Sequence, residues 1–168
     1  MVKIVPAESA PEMDQVRTLF QEYAEMLGVE LCFQGFGQEL ATLPGKYAPP
    51  HGSLLLAKDG EKAIGCVALR PMDQPGICEM KRLYVQPTYR GTGLGRQLAV
   101  RILEEAKTRG YTIMRLDTLD KLKAAIQLYK ELGFVEITAY YHNPLPNVVY
   151  MEVDLRSERR GWSPPSPS

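Results

Sequence analysis

Residues 79–96 read Glu79-Met-Lys-Arg-Leu-Tyr-Val-Gln-Pro-Thr-Tyr-Arg-Gly-Thr-Gly-Leu-Gly-Arg96, and no other segment constrains the fold as tightly. A strand-like run ends at Val85, and Pro87, which has no N–H to give a neighbouring strand, bars its continuation as a central strand. Gly91, Gly93 and Gly95 then lead into an amphipathic helical pattern. Glycines at a strand-to-helix turn let a ligand approach the backbone, and the new helix offers unpaired N–H groups at its positive end. Such a turn is an anion cradle, most often for phosphate. Spacing separates the known kinds. A Gly-x-Gly-x-x-Gly fingerprint counted from Gly91 meets Arg96 and counted from Gly93 meets Leu98, and no Gly-Lys-Ser/Thr is present. What remains is Arg-x-x-Gly-x-Gly at Arg90, Gly93 and Gly95.

This pattern resembles the pyrophosphate-binding motif of the GNAT superfamily, the acetyl-CoA-dependent N-acetyltransferases. A second segment, Ala125-Ile-Gln-Leu-Tyr-Lys-Glu-Leu-Gly-Phe134, is similar to that family's Ala-x-x-Leu-Tyr-x-x-x-Gly-Phe motif. The resemblance spans roughly residues 2–155 and is most specific over 79–134. It implies an α+β fold: a mixed, mostly antiparallel sheet of about seven strands flanked by about four helices, with the phosphate loop after the fourth strand.

The pattern along the chain agrees with that order. A β-branched run at 2–5 precedes Ser9-Ala-Pro-Glu12, which has capping-box spacing, and a helix placing Met13, Val16, Phe20, Tyr23 and Leu27 on one face. A short helix is expected over 38–43. Strands are expected at 53–58 and 62–70 around Asp59-Gly60, a hairpin signal, then at 77–85, 111–116, 134–140 and 148–155. Helices are expected at 94–109 and 121–132, with Gly133 at the C-cap position. Residues 1–156 form the expected domain, and the Ser/Pro-rich stretch 157–168 is expected to be disordered.

Composition sets limits. The 168 residues carry 20 basic and 20 acidic side chains, so no global field recruits nucleic acid or an anionic membrane. Three cysteines and two histidines suggest neither a disulfide framework nor a metal site. No signal peptide or membrane-spanning run is evident, so the expected location is the cytoplasm.

The resemblance also implies site residues. The backbones of Leu83, Tyr84 and Val85 would pair with pantetheine as an added strand. The loop of Arg90, Gly91, Thr92, Gly93, Leu94, Gly95 and Arg96 would wrap the pyrophosphate, and Ala125 would lie against the cofactor. Tyr129 would face the coenzyme sulfur and donate a proton to the departing thiolate; its other reading is a core residue with its hydroxyl at the sheet edge. Glu79 stands where some family members place a catalytic base, with a pKa raised by burial; its other reading is an ion pair with Lys81 or Arg115. Many members carry asparagine three residues before the motif's alanine, where this chain has Leu122. Phe33, Tyr140 and Asn143, on aromatic and polar loops, are the candidate acceptor residues. His142 reads as a hydrogen-bonding loop residue.

The reaction implied is direct transfer of an acetyl group from acetyl-CoA, as cosubstrate and without metal, to the primary amine of a small-molecule or amino-acid-like acceptor. The alternatives are a protein or peptide N-acetyltransferase and a non-catalytic acyl-CoA-binding sensor. A homodimer stays open.

Overall fold

The elements follow the order β1 (Val2–Pro6), α1 (Ala10–Leu27), α2 (Phe36–Ala41), β2 (Ser53–Asp59), β3 (Lys62–Pro71), β4 (Ile77–Val85), α3 (Leu94–Thr108), β5 (Ile113–Leu119), α4 (Lys123–Glu131), β6 (Val135–Ile137) and β7 (Val148–Asp154). They come from a computed structural model that describes residues 1–28 and 35–156. The strands form one sheet in the order β1-β2-β3-β4-β5-β7-β6. Every neighbouring pair is antiparallel except β4 and β5. This is the α+β, mostly antiparallel architecture that the element order implied. No helix among the described residues is long and apolar enough to cross a membrane.

The sheet has a core on each face. α3 buries Leu98, Ile102 and Leu103 against Leu55, Val67, Leu69 and Met114, joined by Tyr129, Leu132 and Phe134. α1 buries Val16, Leu19 and Phe20 against Leu54, Leu56, Cys66 and Ala68 on the other face. Successive residues of β2 and β3 thus feed opposite cores, which is why both strands read as almost continuous apolar runs.

The capping box of α1 forms as its spacing predicts. The Ser9 hydroxyl accepts from the Glu12 N–H at 3.2 Å, and the Glu12 carboxylate accepts from the Ser9 and Glu8 N–H groups at 3.0 Å each. Those amides, with Lys58 at 3.0 Å, hold the Glu12 carboxyl down from 4.5 to about 2. The folded value lies below the unfolded one, so this stabilisation is complete above pH 4.5 and is lost as pH falls toward 2. Glu12→Gln is therefore expected to flatten the decline of melting temperature in that acid window while lowering stability at neutral pH. An identical pH dependence in the variant would show that the box contributes nothing to acid unfolding.

Three elements differ most from the pattern-based ones, while α4 is shorter by two residues at its start and one at its end. α2 starts at Phe36, behind Gly35 at φ +71, and ends at Ala41. β5 runs over 113–119 because Tyr111 N–H is still bound to Ala106 O at the end of α3. β6 stops at Ile137 and does not continue to 140. The chain leaves the sheet there because the Tyr140 and Tyr141 rings turn in to pack against Tyr150, with centroids at 5.3 and 5.6 Å.

Candidate active site

The parallel pair at the centre of the sheet is joined over only three residues, Ile77–Glu79 against Ile113–Arg115. Beyond them β4 and β5 diverge, and a cavity of about 570 Å³ fills the wedge, lined by both strands, α4 and the glycine loop. Arg82 lies at this divergence with φ +61, opposite a register shift between Cys66 and Ala68 in β3. A left-handed non-glycine residue costs roughly 1–2 kcal/mol and bends its strand. Buried contacts hold it: the Arg82 guanidinium donates to both Glu39 carboxylate oxygens at 3.1 and 3.0 Å. It also lies over the rings of Tyr23 and Phe36 at 5.8 and 5.3 Å.

The glycine loop closes one end of the wedge. Gly91 and Gly93 have φ of +80 and +85, and Gly93 is the N-cap of α3 with no side-chain cap bond. A Cβ built on Gly91, Gly93 or Gly95 would meet nothing within 4 Å, so one side of the loop is open to a ligand. The first N–H groups of α3 have no partners within the helix and lie where its dipole is positive. These features fit a pyrophosphate on the backbone. Arg90 is drawn back over the Tyr84 ring, its Nε donating to Val85 O at 3.0 Å.

Across the wedge, α4 carries Tyr129, which is 7% exposed, with its ring 5.6 Å from Phe134. Tyr129 lines the cavity, and its hydroxyl has no hydrogen-bond partner among the described residues. Burial raises its pKa, and the nearby Tyr23 hydroxyl and Asp117 carboxylate push it further the same way. The hydroxyl therefore stays protonated near neutrality. Leu122, at the N-cap of α4, gives this wall an apolar side chain.

Asp117 on β5 also lines the cavity, and its pattern gave no functional signal. Its carboxylate accepts from the Tyr141 hydroxyl at 2.8 Å and lies 3.8 Å from Lys81 Nζ. Met114, Leu116 and Thr118 are buried on one face of β5, so strand alternation puts Asp117 on the other face with Arg115. The sequence shows that alternation but not what faces it.

Glu79 sits elsewhere, on a second cavity of about 340 Å³ that meets the first across Lys81 and Arg82. It is 1% exposed and fully engaged: Arg70 Nε donates to Oε1 at 2.8 Å and the Tyr140 hydroxyl to Oε2 at 2.6 Å. The raised pKa expected for it is reversed. Desolvation does push upward, but Lys81, Arg70 and the Tyr140 hydrogen bond together outweigh it and hold the carboxyl below 4.5. Its ion-pair partner is Arg70, not Arg115, which pairs with Glu152 at 3.1 Å.

The structure thus brings Leu83, Tyr84, Val85, Arg90, Gly91, Gly93, Leu94, Gly95, Ala125, Tyr129 and Asn143 around the first cavity, and Glu79 and Tyr140 around the second. Two side chains of the loop turn away: Thr92 donates to Tyr89 O at 2.6 Å and Arg96 to Glu131 at 2.6 Å. Phe33 lies outside the described residues.

A model of the Acetyltransferase (GNAT) family matches residues 13–134. The chain belongs to the GNAT family. An uncharacterised N-acetyltransferase of Schizosaccharomyces pombe is 46% identical over 155 residues, covering 92% of this chain and 95% of that protein. A GNAT-family acetyltransferase from Staphylococcus aureus superposes with a TM-score of 0.77 at 18% identity, covering 93% and 100% of the two chains. An acetyltransferase from Salmonella typhimurium, solved with acetyl-CoA, gives 0.69 at 18% identity over 99% of each chain. This GNAT protein is accordingly an acyltransferase of the N-acetyltransferase type.

Proposed function

We propose that the protein moves an acetyl group from acetyl-CoA to the primary amine of a small-molecule or amino-acid-like acceptor, with both substrates bound together. The observation that carries this reading is one continuous wedge linking an uncapped helix N-terminus, suited to a pyrophosphate, to the Tyr129 hydroxyl, which has no hydrogen-bond partner among the described residues. The acetyl-CoA-bound Salmonella neighbour supports the choice of donor.

Acetyl-CoA bound in the wedge supplies an acetyl thioester, whose C–S bond breaks as the acceptor nitrogen bonds to the carbonyl carbon. The diverging edge of β4 at Leu83, Tyr84 and Val85 offers backbone groups to the pantetheine. Tyr129 donates its hydroxyl proton toward the departing sulfur. A dry wall raises the pKa of a thiol as it does that of a phenol, which favours proton transfer to the departing sulfur. An ammonium acceptor must first lose a proton to solvent; the second proton leaves the nitrogen at bond formation and goes to Asp117, replacing the one Tyr129 gives up. Glu79 is poorly suited to that task, since its carboxyl is held low and both oxygens are occupied. It becomes a positioning residue that fixes Arg70 and Tyr140.

The test is to mix the protein with acetyl-CoA and a panel of primary amines, following thiol release and acetylated product by mass spectrometry. Transfer that requires both substrates is expected. Acetyl-CoA binding without thiol release for any amine would favour the sensor. Asp117→Asn is expected to lower kcat by about 10²- to 10⁴-fold, the range for losing a general base, with little change in acetyl-CoA Kd. Unaltered turnover in that variant would return proton removal to Glu79 or to water.

A further inference from the structure

The second cavity carries information that the transfer reaction alone does not use. Its half-buried carboxylate Glu39 is satisfied by Arg82, and its buried carboxylate Glu79 by Arg70 and Tyr140. Its cations are not all satisfied. Arg70 spends only Nε on Glu79, and its Nη1 and Nη2 groups have no partner among the described residues. Lys46, on the same cavity, has no ion pair among the described residues. Asp73 and His142 are exposed at the rim. Lys46 is exposed at the rim as well, so Arg70 is the more enclosed of the two cations, and it presents the planar end that matches a carboxylate two atoms at a time.

Resting on the acetyl-transfer reading, we infer that the acceptor is an amino carboxylate: its carboxylate binds Arg70 and Lys46 in the second cavity while its amine reaches past Lys81 toward Asp117 and Tyr129. The 340 Å³ volume suits a small molecule. Glu79 gains a reason to be buried and low in pKa: as the cross-strand partner of Arg70, it fixes the guanidinium from one side and leaves the other side for the ligand.

The experiment measures kcat/KM for free amino acids against their carboxamides, which keep the amine and remove only the charge. The wild-type protein should prefer the acids by at least about 10-fold. Arg70→Gln should lower kcat/KM for acids by about 10- to 100-fold, as for losing a charge-assisted hydrogen bond. That loss should fall mainly on KM and be several-fold larger for the acids than for the carboxamides, with acetyl-CoA Kd little changed. Lys46→Ala, which touches no buried carboxylate, should give a smaller loss of the same kind and serves if Arg70→Gln does not fold. Carboxamides or plain alkylamines acetylated as well as the acids would overturn the inference and leave the transferase reading standing. Equal losses for acids and carboxamides in both variants would also overturn it. Transfer to no amine of either class would overturn the transferase reading itself.

Discussion

Tyr129→Phe should reduce turnover by about 10- to 10⁴-fold, the span for losing a general acid or transition-state donor, while acetyl-CoA affinity stays nearly constant. The substitution is clean because of where the ring sits. Its packing against Phe134 at 5.6 Å survives, and the hydroxyl has no hydrogen-bond partner among the described residues to lose. Stability should therefore be nearly unchanged, since the hydroxyl opens on the cavity and gives up no bond within the described fold. Because burial raises the phenol above its ordinary 10.0, no limb of the pH–rate profile below that pH belongs to Tyr129. A fall in melting temperature with intact turnover would show that the hydroxyl serves the fold.

Gly95→Val is expected to weaken acetyl-CoA binding by about 100-fold or more, the loss of one or two charge-assisted bonds from helix amides to a phosphate. Gly93 is the less informative position: at φ +85 any side chain adds backbone strain as well as bulk. Gly95 lies in the first turn of α3 without a positive φ, lines the cavity, and has open space where a Cβ would go. Valine is also a better helix residue than glycine, so the folded state should not suffer. Thermal melting and isothermal titration on the same sample separate the two effects. Unchanged affinity in the folded variant would remove the phosphate from this loop.

What could be read in advance was mainly local. The glycine loop was legible because Gly91 and Gly93 need left-handed backbone that few other residues adopt, and the helix start follows within two residues. The two motif segments, 90–95 and 125–134, lie on facing walls of one cavity. The features that were missed depend on register between distant segments. Glu79 pairs with Arg70 because β3 and β4 place them opposite each other, and no spacing rule joins residues 70 and 79 across a loop. Asp117 becomes a site residue only because β4 and β5 part after three pairs and a loop 24 residues on returns Tyr141 to it. The expected raised pKa of Glu79 failed for the same reason: burial was foreseeable, the three groups that outweigh it were not.

The most direct measurement is a crystal structure of the protein with acetyl-CoA. It should place the pyrophosphate on the amides of residues 91–96, the pantetheine between the diverging ends of β4 and β5, and the thioester sulfur within hydrogen-bond distance of the Tyr129 hydroxyl, with the acetyl group facing Asp117. A cofactor seated outside this wedge, or a sulfur out of reach of Tyr129, would contradict the assignment.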